Sequence, residues 1–395
     1  MITVTTHTGW FSRLGSSVAG VVFGLLLLAG CVWALSWNEG RAVNTERSLK
    51  EGKGDVISVP SAQVNPANEG RLIHTTGELV IAEPLKDADF AIQAQGVRLV
   101  REAEMFQWVE DTKKETRTKL GGGEETVTVY DYRQAWQDDA VDSTQFRQQE
   151  GHHNPPMPVE DRTISAPRGT MGAFTVGDNV MAKMADEQAV PITEAQQADI
   201  QQAVGSGRQV TVTANQIWFG DPAAPKVGDV RIRYTVVPAG QISVVGAQTG
   251  NGFAPYQTKA SDALLMVNRG AVTAAEMFKQ AEDANRAMTW AIRVAGIIGL
   301  MIGFGLVMGP IGVLADFIPF LGALARLGTA IIGFVLAILV GFVTIAIAWF
   351  AVRLVLSIIL LVVAGVVTAG FIVLGRKKDR ARAAAAPEPA PAEAG

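Results

Sequence analysis

The chain has 395 residues, of which 48% are hydrophobic, with a formal net charge of −4 and a mean hydropathy of +0.22. This composition is typical of a membrane protein. The charge is unevenly distributed, because residues 38–289 hold 25 lysines and arginines against 34 aspartates and glutamates, a net charge of −9. A nucleic-acid-binding surface needs clustered basic residues, so this acidic balance excludes nucleic acid as the expected partner.

The first apolar run, residues 18–37, is long enough to cross a bilayer as transmembrane helix 1. We predict that residues 1–17 before it form a cytoplasmic N-terminus. Within the run, Leu28-Ala29-Gly30-Cys31 matches the bacterial lipoprotein pattern, in which the cysteine is lipidated and becomes the new N-terminus. Apolar residues continue beyond Cys31 to Trp37, which favours an uncleaved spanning helix, and lipidation of Cys31 stays open as the alternative. As the only cysteine, Cys31 cannot form an intrachain disulfide or a CxxC zinc site.

Residues 38–289 are predicted to form one large extramembrane domain in which strand-like segments dominate. Residues 71–76, 104–110 and 126–132 are bounded by glycine or charged turns. Residues 231–236 alternate between arginine or threonine and apolar side chains, so Ile232, Tyr234 and Val236 are expected in a core. Residues 241–247 follow a Pro-Ala-Gly turn and are expected to be the hairpin partner of 231–236.

Three helices are expected in or beside this domain. Asn38 is a plausible N-cap for a short helix over 39–51 that Gly52 ends, and Thr193 opens a helix over 192–204 with a capping box. No proline or glycine separates the helical pattern of 273–290 from the apolar run that follows, so one continuous helix should enter the bilayer. Strands in runs with helices set apart predict an α+β domain.

Between residues 291 and 374 the only charged side chains are Arg293, Asp316, Arg326 and Arg353. They divide this part of the chain into transmembrane helices 2, 3 and 4, at residues 291–308, 327–351 and 354–374. Residues 309–326 are predicted to be a cytoplasmic interfacial segment, and Arg353 to be the turn of a tight hairpin. The fold class is therefore an integral membrane protein with four α-helical spans and one large α+β domain inserted between spans 1 and 2.

Basic residues after the last span predict the orientation. These basic residues are Arg376, Lys377, Lys378, Arg380 and Arg382. They place residues 375–395, a basic stretch followed by a disordered Ala/Pro/Glu tail, in the cytoplasm. Four spans then put the N-terminus in the cytoplasm and residues 38–289 in the periplasm or lumen. The expected interfacial anchors are Trp37, Trp290, Trp349 and Arg353.

The polar residues of the domain give no assembled catalytic site. His152 and His153 are adjacent but lack the spacing of a metal motif, and His74 stands alone in a predicted strand. Residues 121–123 are three glycines without the Lys-Ser or Lys-Thr of a phosphate loop, which indicates a flexible turn. We therefore expect no catalytic, cofactor-binding or metal-binding residues, no cofactor and no enzyme activity.

Glycines in the predicted second span have the spacing of close helix packing. Gly299 with Gly303, and Gly305 with Gly309, are separated by three residues, which lets two helix backbones approach closely in lipid. The spacing fits a homo-oligomer contact through Gly299 and Gly303, and it fits packing within one chain equally well.

Seven motifs in order give the chain a family resemblance, from about residue 37 to the basic residues near 380. They are Trp37-Asn38-Glu39-Gly40-Arg41-Ala42, Glu104-Met105-Phe106-Gln107-Trp108, Tyr130-Asp131-Tyr132 with Trp136, His153-Asn154-Pro155, Val227-Gly228-Asp229, Pro255-Tyr256-Gln257-Thr258-Lys259, and Thr289-Trp290 with Arg293. Together they resemble the transmembrane protein 43 family, also called LUMA. The resemblance implies four spans and a large lumenal or periplasmic loop. In animals it implies a self-associating protein of the endoplasmic reticulum and inner nuclear membrane that helps to organise complexes with emerin and lamins.

The Ala/Pro/Glu tail and the Leu-Ala-Gly-Cys sequence favour a prokaryotic member of that family. In that case the protein lies in the inner membrane, whereas a eukaryotic member lies in the endoplasmic reticulum or inner nuclear membrane. A bacterium has no lamina, so the lamin and emerin partners are not carried over.

The predicted function is a non-enzymatic membrane scaffold that self-associates and organises membrane protein complexes through its outer domain. Its expected partners are the lipid bilayer, other copies of itself and other membrane proteins of unknown identity. The alternative is a component of a channel or transport assembly. Transport would require ionisable residues inside the spans. Apart from Arg293 near the start of span 2, Asp316 in the connecting segment and Arg353 at a turn, the sequence offers none, which favours the scaffold.

Overall fold

The computed structural model describes residues 1–213 and 215–352. Three long helices and a β-rich domain make up this part of the chain, and the domain is inserted between the first and second long helices. The helices are α1 (Trp10–Asp55), α2 (Asp178–Met181), α3 (Gln197–Val204), α4 (Ala274–Ala315) and α5 (Pro319–Val352). Short 3₁₀ turns lie at Pro66–Asn68, Ser143–Gln145 and Glu194–Gln196.

The strands belong to two main sheets and two small hairpins. They are β1 (Ile2–Thr8), β2 (Ile57–Ser58), β3 (Leu72–Val80), β4 (Leu85–Asp87), β5 (Ile92–Ala94), β6 (Arg98–Thr118), β7 (Glu124–Gln137), β8 (Arg162–Ser165), β9 (Arg168–Met171), β10 (Phe174–Gly177), β11 (Gln188–Ala189), β12 (Val210–Thr213), β13 (Gln216–Phe219), β14 (Val230–Val237), β15 (Gly240–Thr249), β16 (Gly252–Ala254), β17 (Tyr256–Gln257), β18 (Ala263–Leu264) and β19 (Met266–Arg269).

The first sheet has the order β1-β7-β6-β14-β13-β12, with β8 also paired to β6 and β11 to β14. The second has the order β10-β9-β3-β15-β16, with β2 paired to β3 and β19 to β15. One hydrophobic cluster takes buried side chains from both sheets, including Ile232 of β14 and Val244 of β15. The two sheets therefore pack face to face around a common core.

The strand predictions are confirmed at four places and wrong at one. The predicted strands lie within or overlap β3, β6, β7 and β14, and Ile232 and Tyr234 are buried. The predicted pairing of 241–247 with 231–236 is wrong. Pro238 follows β14, and β15 begins at Gly240 in the other sheet, where it pairs with β3, β16 and β19. The Pro-Ala-Gly segment is thus a crossing between sheets and not a hairpin turn.

The predicted helix start at Asn38 is also wrong, because α1 is unbroken from Trp10 to Asp55. The Asn38 side chain donates to the Thr289 carbonyl of α4, 3.2 Å away, instead of capping a helix. Gly52 does not end the helix but allows close packing, since a Cβ there would lie 2.5 Å from Leu264 Cδ1. The other two helix predictions are confirmed: α4 is continuous from the domain into the apolar run, and Thr193 forms a capping box with Gln196.

Three helices of the described chain are long and apolar enough to cross a membrane, namely α1, α4 and the Phe320–Phe350 part of α5. The spans predicted at 291–308 and 327–351 lie inside α4 and α5. Segment 309–326 is mostly helical, because α4 continues past Pro310 to Ala315 and α5 begins at Pro319. Its cytoplasmic interfacial position stays a prediction. Proline is tolerated in membrane helices because neighbouring groups satisfy the freed backbone carbonyl. The predicted fourth span at 354–374, Arg353 and the tail at 375–395 lie outside the described residues.

The domain is more β-rich than the predicted α+β class. Its own helices α2 and α3 are short, and the helix expected over 192–204 begins as a 3₁₀ turn. The long helical segments at its two ends belong to α1 and α4, which continue into the membrane bundle. The domain therefore consists of two packed sheets, and the helices α1 and α4 connect it to the membrane bundle.

The N-terminal residues join the domain's first sheet as β1, which the sequence analysis did not predict. β1 pairs antiparallel with β7, from Ile2 opposite Tyr130 to Thr8 opposite Glu124. Every residue of β1 except His7 is isoleucine, valine or threonine, and such β-branched residues favour an extended strand. Paired strands must share one environment, so residues 2–8 and 124–130 cannot lie on opposite sides of the membrane. The predicted separation of residues 1–17 from residues 38–289 by the membrane therefore cannot hold for these paired residues. The sidedness of both segments stays a prediction.

A buried ion-pair network joins three strands of the domain. Arg101 of β6 contacts Asp87 of β4 at 2.8 Å and Asp89 at 2.9 Å, and Asp87 is almost fully buried. The Tyr234 hydroxyl of β14 donates to Asp87 Oδ2 at 2.8 Å. Burial and this hydrogen bond raise the pKa of Tyr234, which keeps the phenol protonated as a donor.

We predict that Arg101→Met strongly destabilises the domain. It removes the cation closest to the buried Asp87 carboxylate, at 2.8 Å, and leaves only half-exposed Arg162, whose Nη1 lies 3.6 Å from Asp87 Oδ1. We expect a cost of about 3 kcal/mol in the free energy of unfolding. Arg162→Met is the matched control, because Arg162 is half exposed and also pairs with Asp89. It should cost less than about 1 kcal/mol. Denaturant titration of the full chain in detergent measures both, and equal losses would contradict the network's role.

Candidate functional site

The histidines occupy structural positions. The His152 ring stacks on Tyr132 with centroids 4.1 Å apart and meets the edge of Trp108 at 4.7 Å, while His153 is exposed. Buried His74 has Nε2 2.9 Å from the Val272 carbonyl oxygen and Nδ1 3.2 Å from Ser58 Oγ. Within residues 1–213 and 215–352, no group of three or more histidine, cysteine or acidic side chains is placed to hold a metal ion.

Two clusters of polar side chains instead hold the membrane helices together, one at each end of the bundle. We name the end next to the β-rich domain the upper end. The upper polar cluster comprises Asn38, Glu39 and Arg41 of α1 with Asn285, Thr289 and Arg293 of α4. The lower polar cluster comprises Arg13 of α1, Glu124 of β7, Asp316 after α4 and Arg326 of α5.

A buried carboxylate lies at the centre of the upper polar cluster. Glu39 is 1% exposed and accepts two hydrogen bonds from Arg293, both 2.7 Å long. This bidentate geometry is the strongest that an arginine and a carboxylate form. The Arg293 guanidinium also lies 5.0 Å from the centroid of the Trp290 ring. Glu39 and Arg293 thus compensate each other's charge at the end of two spanning helices.

Amide and hydroxyl groups complete the upper polar cluster. Arg41 donates to Asn285 Oδ1 at 3.0 Å and to Thr289 Oγ1 at 3.2 Å. Asn285 Nδ2 donates to the Ala42 carbonyl at 3.0 Å. Side chains of each helix therefore bind backbone or side-chain groups of the other, which fixes the register of α1 against α4. A cavity of about 480 Å³ lies beside them, and Trp290 and Trp349 form part of its wall.

Asp316 is the centre of the lower polar cluster and is fully buried. Arg13 Nη2 lies 2.6 Å from Asp316 Oδ2, and Arg326 Nη1 lies 2.5 Å from Asp316 Oδ1. Arg13 also pairs with Glu124 at 2.7 Å. Two arginines and two carboxylates balance in charge, and they join α1, α5, the α4–α5 turn and the domain's first sheet.

The turn between β6 and β7 docks at this lower end. Gly121 donates its backbone N–H to the Phe317 carbonyl at 3.2 Å, and the Gly122 carbonyl accepts a hydrogen bond from Arg13. Both glycines have positive φ, and a Cβ at Gly122 would lie 2.2 Å from Trp10 Cδ1. The predicted glycine turn at 121–123 is confirmed as a turn. Its glycines also make the close approach to α1 possible.

The predicted glycine positions lie on two different surfaces. A Cβ at Gly299 would lie 2.5 Å from Cys31 Sγ, and one at Gly303 would lie 2.8 Å from Leu28 Cδ2, so both glycines face α1 of the same chain. Gly305 and Gly309 have no atom within 4 Å of an added Cβ. They line a cavity of about 550 Å³ between α4 and the tip of the β6–β7 hairpin.

The predicted interfacial anchors lie near the upper end of the bundle. Trp37 is 51% exposed and stacks with Trp33 at a centroid distance of 6.3 Å. Trp290 is 58% exposed beside Arg293, and Trp349 is half-buried at the wall of the upper cavity. Arg353 lies outside the part of the chain that the structure describes.

Sequence reasoning missed the polar clusters as units. In the sequence, Arg13 is only the one basic residue before the first span, and Asp316 and Arg326 are only charges between spans. A signal was present, because an ionisable residue among apolar ones in a membrane segment needs a partner. The sequence does not say which partner, since Arg13 and Asp316 are 303 positions apart.

Comparison with known proteins gives the family. The family described as Transmembrane protein 43 matches residues 105–354. Transmembrane protein 43 of Mus musculus is 30% identical over 360 residues, 88% of each chain, and that of Homo sapiens is 28% identical over the same length and coverage. The Drosophila melanogaster homolog is 31% identical over 356 residues, 86% of this chain and 90% of its own.

No solved structure matches the chain. The relatives reported are animal proteins, and they give no support to the predicted prokaryotic origin. A family match over more than half of the chain and relatives about 30% identical over most of it agree with the motifs and with the helices on either side of a β-rich domain. The chain belongs to the transmembrane protein 43 family.

Proposed function

We propose that this chain is a non-enzymatic membrane scaffold that self-associates and presents its β-rich domain to other membrane proteins in a fixed position. The observation that carries the proposal is the continuity of α1 and α4, which both run unbroken from the apolar bundle into the domain. The relatives are eukaryotic, which is compatible with a place in the endoplasmic reticulum or nuclear envelope. In such a membrane the predicted orientation puts the domain in the lumen.

The two helices contact the domain directly as well as each other. A hydrophobic cluster joins Leu49 of α1, Met277 and Phe278 of α4, and Leu72 and Val245 of the second sheet. The upper polar cluster lies just below it and ties α1 to α4 again. Because α1 and α4 are joined by both the hydrophobic cluster and the upper polar cluster, the domain can tilt little relative to the bundle. A scaffold needs this fixed position.

The domain's surface charge supports a protein partner. Residues 38–289 have a net charge of −9, which steers basic partner surfaces towards the domain and disfavours acidic ones. Such a surface contributes to the rate and selectivity of association. We therefore expect partners with basic lumenal segments.

The test of fixed presentation is Arg293→Met with Arg286→Met as the control. Arg293→Met leaves buried Glu39 without its cation, whereas Arg286 is 74% exposed and pairs only weakly with Asp283. We expect Arg293→Met to broaden the distribution of distances between spin labels at Ser165 and Val22 in nanodiscs, with the control unchanged. A narrow distribution in both variants would show that the ion pair does not fix the domain, and a broad one in the wild-type chain would contradict the scaffold.

Glycine substitutions separate packing within the chain from contact between copies. Gly299→Leu with Gly303→Leu should force α1 from α4 and lower the thermal stability, because both positions face α1. Gly305→Leu is the control, since it points into open space. Native mass spectrometry of the same samples gives the oligomer mass. If the double variant keeps its stability and becomes monomeric, the glycines form the contact between copies instead.

A further inference from the structure

The outer part of the first sheet lies beside the membrane helices. Its tip contacts the lower end of the bundle at Arg13 and Phe317, and its base belongs to the core of the domain above the upper end. A strand rises about 3.3 Å per residue, so roughly nine residues from the tip cover the ~30 Å of a bilayer's hydrocarbon. Residues 109–118 of β6, residues 124–133 of β7 and all of β1 therefore lie at the depth of the spans.

One face of this part of the sheet is turned to the helices. Thr116, Thr118 and Glu124 line the cavity that Gly305 and Gly309 border on α4. Side chains alternate along a strand, and cross-strand partners share a face. Thr126 opposite Thr116 and Thr6 opposite Thr126 therefore lie on this inner face as well.

The outer face points away from the helices and is charged. It carries Lys113, Glu115 and Arg117 of β6, Glu125 of β7 and His7 of β1 by the same alternation. Arg117 and Glu115 are 79% and 74% exposed and lie 3.4 Å apart, and Glu125 pairs with Lys119 at 2.6 Å. Within the described chain Lys113, Glu115, Arg117 and His7 are exposed, and Glu125 is partly covered.

Lipid cannot be the neighbour of this face. Charged side chains are costly in hydrocarbon, and a sheet edge with unpaired backbone groups does not occur against lipid. Both edges are open here: among the described strands, β1 pairs only with β7, and the partners of β6 on its other side end at Met105. Non-helical backbone at this depth is tolerated only where it is buried in protein or lines water.

We propose that the outer face of the β1–β7–β6 sheet lines a water-filled passage at the depth of the bilayer, open to water and small hydrated ions. The described helices shield this part of the sheet from lipid on its inner side, and further copies of the chain enclose the passage on the other sides. Val22 and Ile298 are exposed apolar side chains of the bundle, and in this arrangement they face lipid. This inference goes beyond the scaffold role and rests on its self-association alone.

The test first fixes the sheet in place and then measures its contact with water. In a Cys31→Ala background, Leu120→Cys and Phe317→Cys put thiols on the tip and on the turn that it contacts, and oxidation in native membranes should join them. A third cysteine, Glu115→Cys, is then labelled with a water-soluble maleimide added after permeabilisation of the vesicles. The matched control replaces Glu115→Cys with Val22→Cys, which is 59% exposed on the lipid-facing surface of α1.

We expect the disulfide to form and Glu115→Cys to react at least about tenfold faster than Val22→Cys. Absence of the disulfide would overturn the proposal, because the sheet would then not lie beside the helices. A disulfide with equally slow labelling at both positions would also overturn it, because the outer face would then be covered. Native mass spectrometry of the same sample measures the number of chains in the assembly. This number distinguishes a failure of the passage proposal from a failure of the scaffold proposal. A monomer would contradict self-association whatever the labelling rates.

Discussion

The buried carboxylate of Asp316 is the constraint on which the arrangement of the helices depends. A fully buried charge is tolerated only with close partners, and Asp316 has Arg13 and Arg326 within 2.6 Å. Those two arginines come from the first and last described helices, and Arg13 also reaches Glu124 of the sheet. This network thus joins the first turn of α1, the beginning of α5 and the β6–β7 hairpin. The pair of Glu39 and Arg293 has the same role at the other end of α1 and α4.

Local patterns predicted much of the fold. The alternation at 231–236, the capping box at Thr193 and the unbroken helix from 273 into the membrane are all present in the structure. Each depends on residues within a few positions of one another, and such patterns are legible in one sequence. The pairing of β14 with β6, in contrast, joins segments more than a hundred residues apart. The sequence pattern is the same whether 231–236 pairs with its neighbour or with a distant strand.

The candidate site was harder to predict than the fold, for two physical reasons. Asn38 has the chemistry of an N-cap, but a tertiary partner at Thr289 uses its amide instead, so the helix continues. The N-terminal residues 1–17 have no apolar run, and their predicted cytoplasmic position followed from charge counting alone. Their strand character is satisfied only by an edge of the domain's sheet. In both cases a contact with a distant part of the chain determined the local structure.

The pairing of β1 with β7 has a consequence for the order of folding. β1 leaves the ribosome first, but its partner is synthesised about 120 residues later, a delay of several seconds at ordinary elongation rates. Asp316, the partner of Arg13, follows after a further 180 residues or so. The first helix must therefore enter the membrane while its own N-terminal strand is unpaired, and the contacts of the lower end close last. Long-range closure of this kind is slow and leaves an exposed strand edge for a time, so a chaperone that shelters residues 2–8 would favour correct assembly.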